Sequence, residues 1–201
     1  MSGSRLIVGL GNPGREYART RHNAGFQLVE RVAAEAGATW RVEARFRARL
    51  ARGTLAGESC WLCEPLTYMN LSGEAVGAVM RYHRLTRDRL LVLVDDADLP
   101  LGQLRLRPGG SAGGHHGLES VERHVGGQDY ARLRLGIGRR ADAGRNITGH
   151  VLGAFNAEEW EIFEKVLARA TSQVLCWVAE GVAVAMNRYN GTVEVPDSKD
   201  N

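Results

Sequence analysis

The stretch RLIVGLGNPG at residues 5–14 joins a short apolar run to a loop rich in glycine. The run at residues 5–9 is typical of a buried strand, because it is apolar, short and followed by residues that favour a turn. Its glycines also fit the pattern G-x-G-x-x-G after a strand, which is typical of dinucleotide-binding sites. A nucleotide site is therefore one interpretation of this segment.

A second interpretation is a tight loop that projects a polar side chain into a cleft. A dinucleotide site needs a helix that begins at the third glycine, whereas the next helical pattern begins near Asn23. Pro13 also biases Asn12 toward an extended conformation. We therefore favour a loop whose glycines let the backbone turn and whose Asn12 amide faces a ligand.

The rest of the chain interleaves strand patterns with helix patterns. The segments at 47–55 and 58–64 flank Ala56-Gly57, which predicts a hairpin. Asn156 and Glu159 resemble a capping box at the start of a long helix. These patterns predict an α/β fold, a single-domain three-layer sandwich with a mixed, twisted central sheet flanked by helices. Further helices are predicted at 24–36, 72–82, 116–124 and 182–189, and further strands at 90–94, 103–107 and 132–138.

The length and composition are those of an ordinary globular protein. With 201 residues, 44% hydrophobic and 24% charged, the chain fits one domain over residues 1–201, with a frayed tail at 196–201. No apolar run approaches the roughly 20 residues that span a bilayer. Residues 1–5 lack the basic and apolar pattern of a leader. We therefore expect a cytoplasmic protein with no membrane contact, and take a monomer as its state.

The charge is distributed unevenly along the chain. Residues 1–155 hold 22 Lys or Arg against 15 Asp or Glu, whereas residues 156–201 hold four against eight. The basic residues are almost all arginine, which favours bidentate contact with phosphate. A polyanionic partner such as nucleic acid is one explanation, and a bias of composition toward arginine is another.

Several residues are of types that bind metals, but their spacing argues against it. Cys60 and Cys63 lie three apart on a predicted strand and therefore face opposite sides. His115 and His116 are adjacent, and adjacent residues rarely share a metal. The aspartates that follow the strand at 90–94 lack the further oxygen ligands of a cation site. We therefore expect no metal and no cofactor.

The segment PLTYMNLSG at residues 65–73 lies between a predicted strand and a predicted helix. Sites in α/β folds are commonly found at such junctions. Asn70 or Ser72 could equally serve only to cap the helix, and the segment alone favours that second interpretation.

Four motifs in order resemble the bacterial peptidyl-tRNA hydrolase family. The resemblance is detailed from about residue 6 to residue 155, and the helical part after it agrees in length. Each motif alone is moderately specific, but four in the same order are strongly so. They are GLGNPG with Tyr17 and TRHN at residues 20–23, TYMNLSG at 67–73, DDADLP at 95–100 leading to GGHHGL at 113–118, and RLRLGIG at 132–138.

The resemblance implies an enzyme that hydrolyses the ester between a peptide and the terminal ribose of tRNA, recycling peptidyl-tRNA that has left the ribosome. By motif position, His22 is the catalytic base and Asp95 supports it. Asn12 is the residue that helps distinguish N-blocked peptidyl-tRNA from free aminoacyl-tRNA. The substrate and tRNA positions implied by the same motifs are Tyr17, Tyr68, Met69, Asn70 and His116, with Arg107 and Arg134 at the tRNA phosphate.

The chemistry of these residue types agrees with that role. The ordinary pKa of histidine, about 6.5, suits a general base near neutral pH. A carboxylate such as Asp95 on the far ring nitrogen would fix the tautomer. No serine or cysteine lies in a nucleophile-elbow sequence, so we expect direct attack by water. The amides of Asn12 and Asn70 can donate to a carbonyl or an oxyanion.

Two positions depart from the family pattern. His116 stands where asparagine is usual, and an imidazole charged near pH 6 would oppose protonation of His22. Glu64 stands where lysine is common, which we interpret as a peripheral change. The competing hypothesis is a non-catalytic RNA-binding relative of the same fold, like the intron-splicing factors of plant organelles, and the retention of His22, Asp95 and Asn12 argues against it.

Overall fold

A mixed sheet runs through the part of the chain that this computed structural model describes, residues 3–138 and 147–193. Its strands are β1 Arg5–Gly9, β2 Arg41–Glu43, β3 Ala48–Leu55, β4 Glu58–Pro65, β5 Leu90–Asp96, β6 Gln103–Arg107, β7 Ala131–Gly136 and β8 Gly191–Thr192. The helices are α1 Ala24–Glu35, α2 Ser72–His83, α3 His116–Val125, α4 Ile147–Val151, α5 Ala157–Glu180 and α6 Val182–Tyr189.

The order of strands across the sheet is β2-β3-β4-β1-β5-β7-β6-β8. The four central strands β4, β1, β5 and β7 are mutually parallel, whereas β2, β3, β6 and β8 pair antiparallel at the two sides. Parallel strands are buried on both faces, which explains why β1 and β5 are continuous apolar runs. The carboxyl ends of these strands meet at one edge, where ligands bind in open α/β sheets.

Two apolar layers pack on opposite faces of the sheet. On one face Leu91 and Leu93 of β5 pack in a cluster with α1 and α5, for example with Leu28 and Phe163. On the other face Val92 of β5 belongs to a cluster with α2 and α3. Successive residues of one strand thus serve different cores, as the period of two requires. The predicted three-layer sandwich with a mixed sheet is confirmed.

The local predictions hold where turn or cap chemistry is specific. The hairpin is formed by β3 and β4, and Ala56 and Gly57 both have positive φ, 47° and 82°, as a tight two-residue turn requires. The capping box at Asn156 and Glu159 is present. The predicted tail at 196–201 lies outside the described residues. None of the described helices is long and apolar enough to cross a membrane.

Candidate active site

The glycines at the end of β1 and just after it allow helix α1 to pack closely against this segment. A Cβ at Gly9 would lie 2.3 Å from the carbonyl oxygen of Gly25, and one at Gly11 would lie 2.7 Å from the ring of Phe26. Residues Arg15–Tyr17 form only a single 3-10 turn, and α1 begins at Ala24. Because no long helix begins at the third glycine, the dinucleotide interpretation is wrong for this loop.

Asn12 is held firmly at the base of the cleft. Its backbone N–H donates to Oδ1 of Asn23 at 2.9 Å, and its carbonyl accepts from Nδ2 of Asn23 at 2.9 Å. Its own Oδ1 accepts from the backbone N–H of Met69 at 2.8 Å. Since the amide oxygen is thereby occupied, Nδ2 is the part of the side chain that can donate to a ligand.

His22 and Asp95 are brought together from segments 73 residues apart. His22 lies on the 3-10 turn Arg21–Asn23, and Asp95 lies at the carboxyl end of β5. Nδ1 of His22 is 3.1 Å and 3.0 Å from the two carboxylate oxygens of Asp95. Asp95 is buried, whereas the side chain of His22 is 16% exposed at the cleft. Nδ1–H therefore faces the carboxylate, and Nε2 is the nitrogen left for a ligand.

A second histidine, His115, contacts the same carboxylate; its sequence position suggested only a possible metal ligand. Its Nε2 lies 3.0 Å from Oδ1 of Asp95. Its Nδ1 accepts from the backbone N–H groups of Gly117 and Leu118, so that His115 caps α3. Backbone N–H groups can only donate, so Nδ1 is unprotonated and Nε2 carries the proton. The available signal was its position directly before a helix, at the N-cap.

Asp95 thus receives two imidazole N–H groups. Burial alone would raise the pKa of its carboxyl, but the electrostatic interactions and hydrogen bonds with His115, and then with His22, outweigh burial and hold the pKa well below its usual range. Side-chain atoms of His22, Asp95 and His115 lie within 4.8 Å of one another, as metal ligands would. A metal on Nε2 of His115 would force a proton onto Nδ1, against two backbone donors. The cluster therefore suits two imidazole N–H hydrogen bonds to Asp95 better than a metal ion.

The second imidazole beside His22 is His115 rather than His116. The rings of His22 and His115 have centroids 5.2 Å apart. The side chain of His116 is 76% exposed, and its Nδ1 lies 3.0 Å from the carboxylate of Glu119. His116 therefore contacts Glu119 and solvent, and its expected effect on His22 stays a prediction.

These residues surround an open cleft of about 430 Å³. Eight of the ten residues selected from the sequence line it, and Tyr17 and Arg107 do not. Val151 and Leu152, which form part of the wall, carried no motif and were missed. The selected residues in the lining are Asn12, His22, Tyr68, Met69, Asn70, Asp95, His116 and Arg134.

Asn70 and Ser72 do not cap α2 with their side chains. Residues Met69–Leu71 form a 3-10 turn that leads into the helix, whose N-cap residue, Leu71, makes no side-chain cap hydrogen bond. The capping interpretation of this segment is therefore wrong. The turn instead brings Met69 to Asn12 and leaves Asn70 in the cleft.

The arginines of β6 and β7 share one face of the sheet. Arg105 pairs with Arg134 and Arg107 with Arg132 in the antiparallel register. Arg132 is buried and bound to Glu122 at 3.0 Å, so it is not available to a polyanion. Arg134 binds Asp96 at 3.1 Å and the carbonyl of Ser111 at 2.9 Å. Arg105 and Arg107 are exposed.

Glu64 is not the peripheral residue that the sequence suggested. It is 1% exposed and binds Arg49 at 2.7 Å. Burial raises the pKa of its carboxyl to about 7, against the opposing charge of Arg49. Together with Asn12 it lines a second cavity, of about 320 Å³, that also borders the glycine loop.

The fold and the site together define an α/β protein with a histidine and a buried carboxylate at the carboxyl edge of its sheet, an arrangement suited to hydrolysis. The family model described as "Peptidyl-tRNA hydrolase" matches residues 6–198, and the chain belongs to that family.

Known proteins support this membership over nearly the whole chain. The peptidyl-tRNA hydrolase of Synechococcus sp. (strain JA-3-3Ab) is 48% identical over 186 residues, 92% of this chain and 82% of the relative. That of Desulforudis audaxviator is 45% identical over 199 residues, 95% of this chain and 100% of the relative. The crystal structure of peptidyl-tRNA hydrolase from Acinetobacter baumannii superposes with a TM-score of 0.89 at 39% identity, covering 96% and 97% of the two chains. The chain is an enzyme that hydrolyses peptidyl-tRNA, and the non-catalytic alternative is set aside.

Proposed function

We propose that His22 is the general base that activates water against the ester joining the peptide to the terminal ribose of tRNA. The observation that carries this proposal is the contact of His22 Nδ1 with both oxygens of buried Asp95 at 3.1 and 3.0 Å, beside an open cleft. With Nδ1–H held by the carboxylate, Nε2 is free to accept a proton from water.

The proposed reaction proceeds in two steps that conserve protons. Water gives a proton to Nε2 of His22 while its oxygen adds to the ester carbonyl. The tetrahedral oxyanion then collapses, the bond to the ribose oxygen breaks, and that oxygen takes the proton from the imidazolium. The anion of Asp95 stabilises the imidazolium between the steps, and the N–H of His115 keeps that carboxylate oriented and ionised. Amide groups of Asn12 and Asn70 are the proposed donors to the oxyanion and the substrate carbonyls.

Asn12 is also proposed to select N-blocked substrates. Because Met69 N–H occupies Oδ1 of Asn12, the side chain presents its donor, Nδ2, to the cleft. A peptide carbonyl can accept from that group. The ammonium of a free aminoacyl-tRNA offers only donors, so it would leave Nδ2 unmatched and would bind more weakly.

The tRNA is proposed to bind through aromatic and basic groups beside the cleft. Tyr68 is 61% exposed there and can stack on a base, with Met69 and His116 next to it. Arg134 and exposed Arg107 are the proposed phosphate contacts, and Tyr17 is proposed only from the family resemblance.

We further propose that the enzyme acts as a monomeric single domain in the cytoplasm on peptidyl-tRNA released from ribosomes, and needs no cofactor or metal. A substrate made by the translation machinery supports that location. Light scattering of the purified protein tests whether it is a monomer. Turnover of peptidyl-tRNA measured with and without a chelator tests whether activity needs a metal.

Hydrolysis of a peptidyl-tRNA by wild type and His22→Ala tests the catalytic proposal. We expect the variant to bind substrate but to lose at least about 10²-fold in kcat. Asp95→Asn should also lose rate, because an amide can present its donor group to Nδ1 and favour the wrong tautomer. Glu35→Gln, an exposed change at the end of α1, is the control. Near-normal turnover by His22→Ala would reject the proposal.

A further inference from the structure

A buried arginine directly precedes His22 in the chain. Arg21 is 6% exposed, and its Nη2 donates to Oε2 of Glu159 at 2.6 Å. Its guanidinium lies 5.0 Å from the ring centroid of Phe155. A charge this deeply buried persists only when it is paired, so the pair with Glu159 decides where the Arg21 side chain lies.

Glu159 in turn belongs to the cap of α5. The same oxygen that binds Arg21 accepts the backbone N–H of Asn156 at 2.8 Å, and the Asn156 side chain accepts from the backbone of Glu159 at 2.9 Å. One carboxylate oxygen therefore ties Arg21 to the first turn of a 24-residue helix. That helix is a rigid reference against which the turn Arg21–Asn23 can be fixed.

The backbone around Arg21 is joined to the wall of the cleft. Its N–H donates to the carbonyl of Gly153 at 3.0 Å, and Thr20 forms a bridge with Ala154. A Cβ at Gly153 would lie 3.0 Å from Nη1 of Arg21, so the segment fits closely around the guanidinium. Val151 and Leu152, just before Gly153, line the cleft together with the motif residues.

We infer that Arg21 is a positioning residue that fixes His22 against Asp95 by anchoring both the His22 turn and the 151–154 wall to α5 through Glu159. Arg21 itself does not line the cleft, so its effect on the reaction passes through His22 and the wall. This inference rests on the proposed role of His22 as the base.

The test compares variants that break the anchor with one that weakens only the helix cap. Arg21→Met keeps an unbranched apolar side chain at this position and removes the guanidinium that lies over Phe155. Glu159→Gln is the milder change, because its amide oxygen can still accept from Asn156. Asn156→Ala removes one half of the capping box and leaves the Arg21–Glu159 pair, so it is the matched control. Turnover of peptidyl-tRNA, Tm, and the ¹⁵N signals of the His22 ring are measured for each.

We expect Arg21→Met to lower kcat about tenfold or more and to shift the His22 ring signals away from those of the Nδ1–H tautomer. Glu159→Gln should show a smaller loss in the same direction, and Arg21→Lys should restore part of the rate. Asn156→Ala should lower Tm and leave kcat and the ring signals unchanged.

Two results would overturn the inference. One is a fall in Tm for Arg21→Met and Glu159→Gln with kcat and ring signals like those of wild type. The other is a loss of rate with unchanged ring signals, which would place the effect elsewhere. If Arg21→Met does not fold, the kcat and ring signals of Glu159→Gln test the inference in its place. His22→Ala is assayed in parallel, because its turnover tests the proposed base separately. The ring signals of Arg21→Met report the position of His22 whether or not His22 is the base, so the two proposals can fail independently.

Discussion

At the scale of single residues, the site depends on which groups can hold a proton. Asp95 stays ionised because two imidazole N–H groups donate to it, and the N-terminus of α3 keeps His115 in the tautomer that can donate. Glu64 is in the opposite situation, since burial favours its neutral form and only the half-exposed Arg49 opposes that effect. These two carboxyl groups therefore respond differently to pH.

The raised pKa of Glu64 predicts a loss of stability with rising pH. Its ordinary pKa of 4.5 becomes about 7 in the folded state, so between these values the folded state holds more of its proton than the unfolded state. The stability that the neutral form provides is complete below about pH 4.5 and is lost as pH rises through about 7. Glutamine cannot titrate, so the free energy of unfolding of Glu64→Gln minus that of wild type should be larger at pH 8 than at pH 5. We expect that increase to be at most about 3 kcal/mol.

Urea denaturation of Glu64→Gln and wild type at pH 5 and pH 8 measures this difference. The exposed Glu35→Gln serves as the control and should shift neither curve. If the difference between Glu64→Gln and wild type were the same at both pH values, Glu64 would not titrate between them in the folded state.

At the scale of elements, close packing of α2 against α3 sets the position of His115. A Cβ at Gly73 would lie 2.0 Å from the carbonyl oxygen of Ser120, and the N–H of Gly73 donates to the Ser120 hydroxyl at 3.0 Å. Since His115 caps α3, any displacement of that helix moves the second donor to Asp95. The family motif that ends in Gly73 thus has a packing reason as well as a place at the cleft.

Gly73→Ala is therefore expected to lower both stability and turnover. Forcing a methyl group into packed backbone costs about 1–3 kcal/mol, and the shift of α3 should weaken the contact of His115 with Asp95. Gly77→Ala is the matched control one turn along α2, where a Cβ would lie 3.0 Å from the carbonyl of His124. It should cost less stability and leave kcat near wild type. Equal effects of the two variants on kcat would contradict this account.

Element prediction succeeded where the residues themselves impose a local geometry. The hairpin at Ala56-Gly57 and the capping box at Asn156 are local, and both are confirmed. The contact of His115 with Asp95 was missed because it depends on the place where β5 ends, 20 residues earlier in the chain. Glu64 was misjudged for the same reason, since its burial depends on β3 and α1 packing around it. The positions of such residues follow from tertiary contacts that no periodicity records.

At the scale of the whole molecule, charge and shape combine on one side of the sheet. β6 and β7 present arginines on one face near the cleft, whereas Arg41 lies on β2 at the opposite end of the strand order. Of the four arginines on that face, Arg132 and Arg134 are bound to carboxylates, so the exposed Arg105 and Arg107 have more charge to offer a phosphate than Arg134 has. The excess of basic residues in the first 155 residues is thus only partly available to RNA.

Salt dependence of tRNA binding tests which of these charges contact phosphate. Each phosphate contact releases counterions, so removing one should reduce the slope of log affinity against log salt by up to about one unit. We expect that reduction for Arg107→Ala, and also for Arg105→Ala if the phosphate backbone of the tRNA runs along β6. Arg41→Ala should leave the slope unchanged. Arg134→Ala should lower kcat as well as affinity, because its guanidinium also holds Asp96 and the Ser111 carbonyl at the cleft. A slope for Arg107→Ala that is the same as that of wild type would mean that the tRNA does not contact Arg107; Arg41 is also exposed but lies on β2, at the opposite end of the strand order from β6.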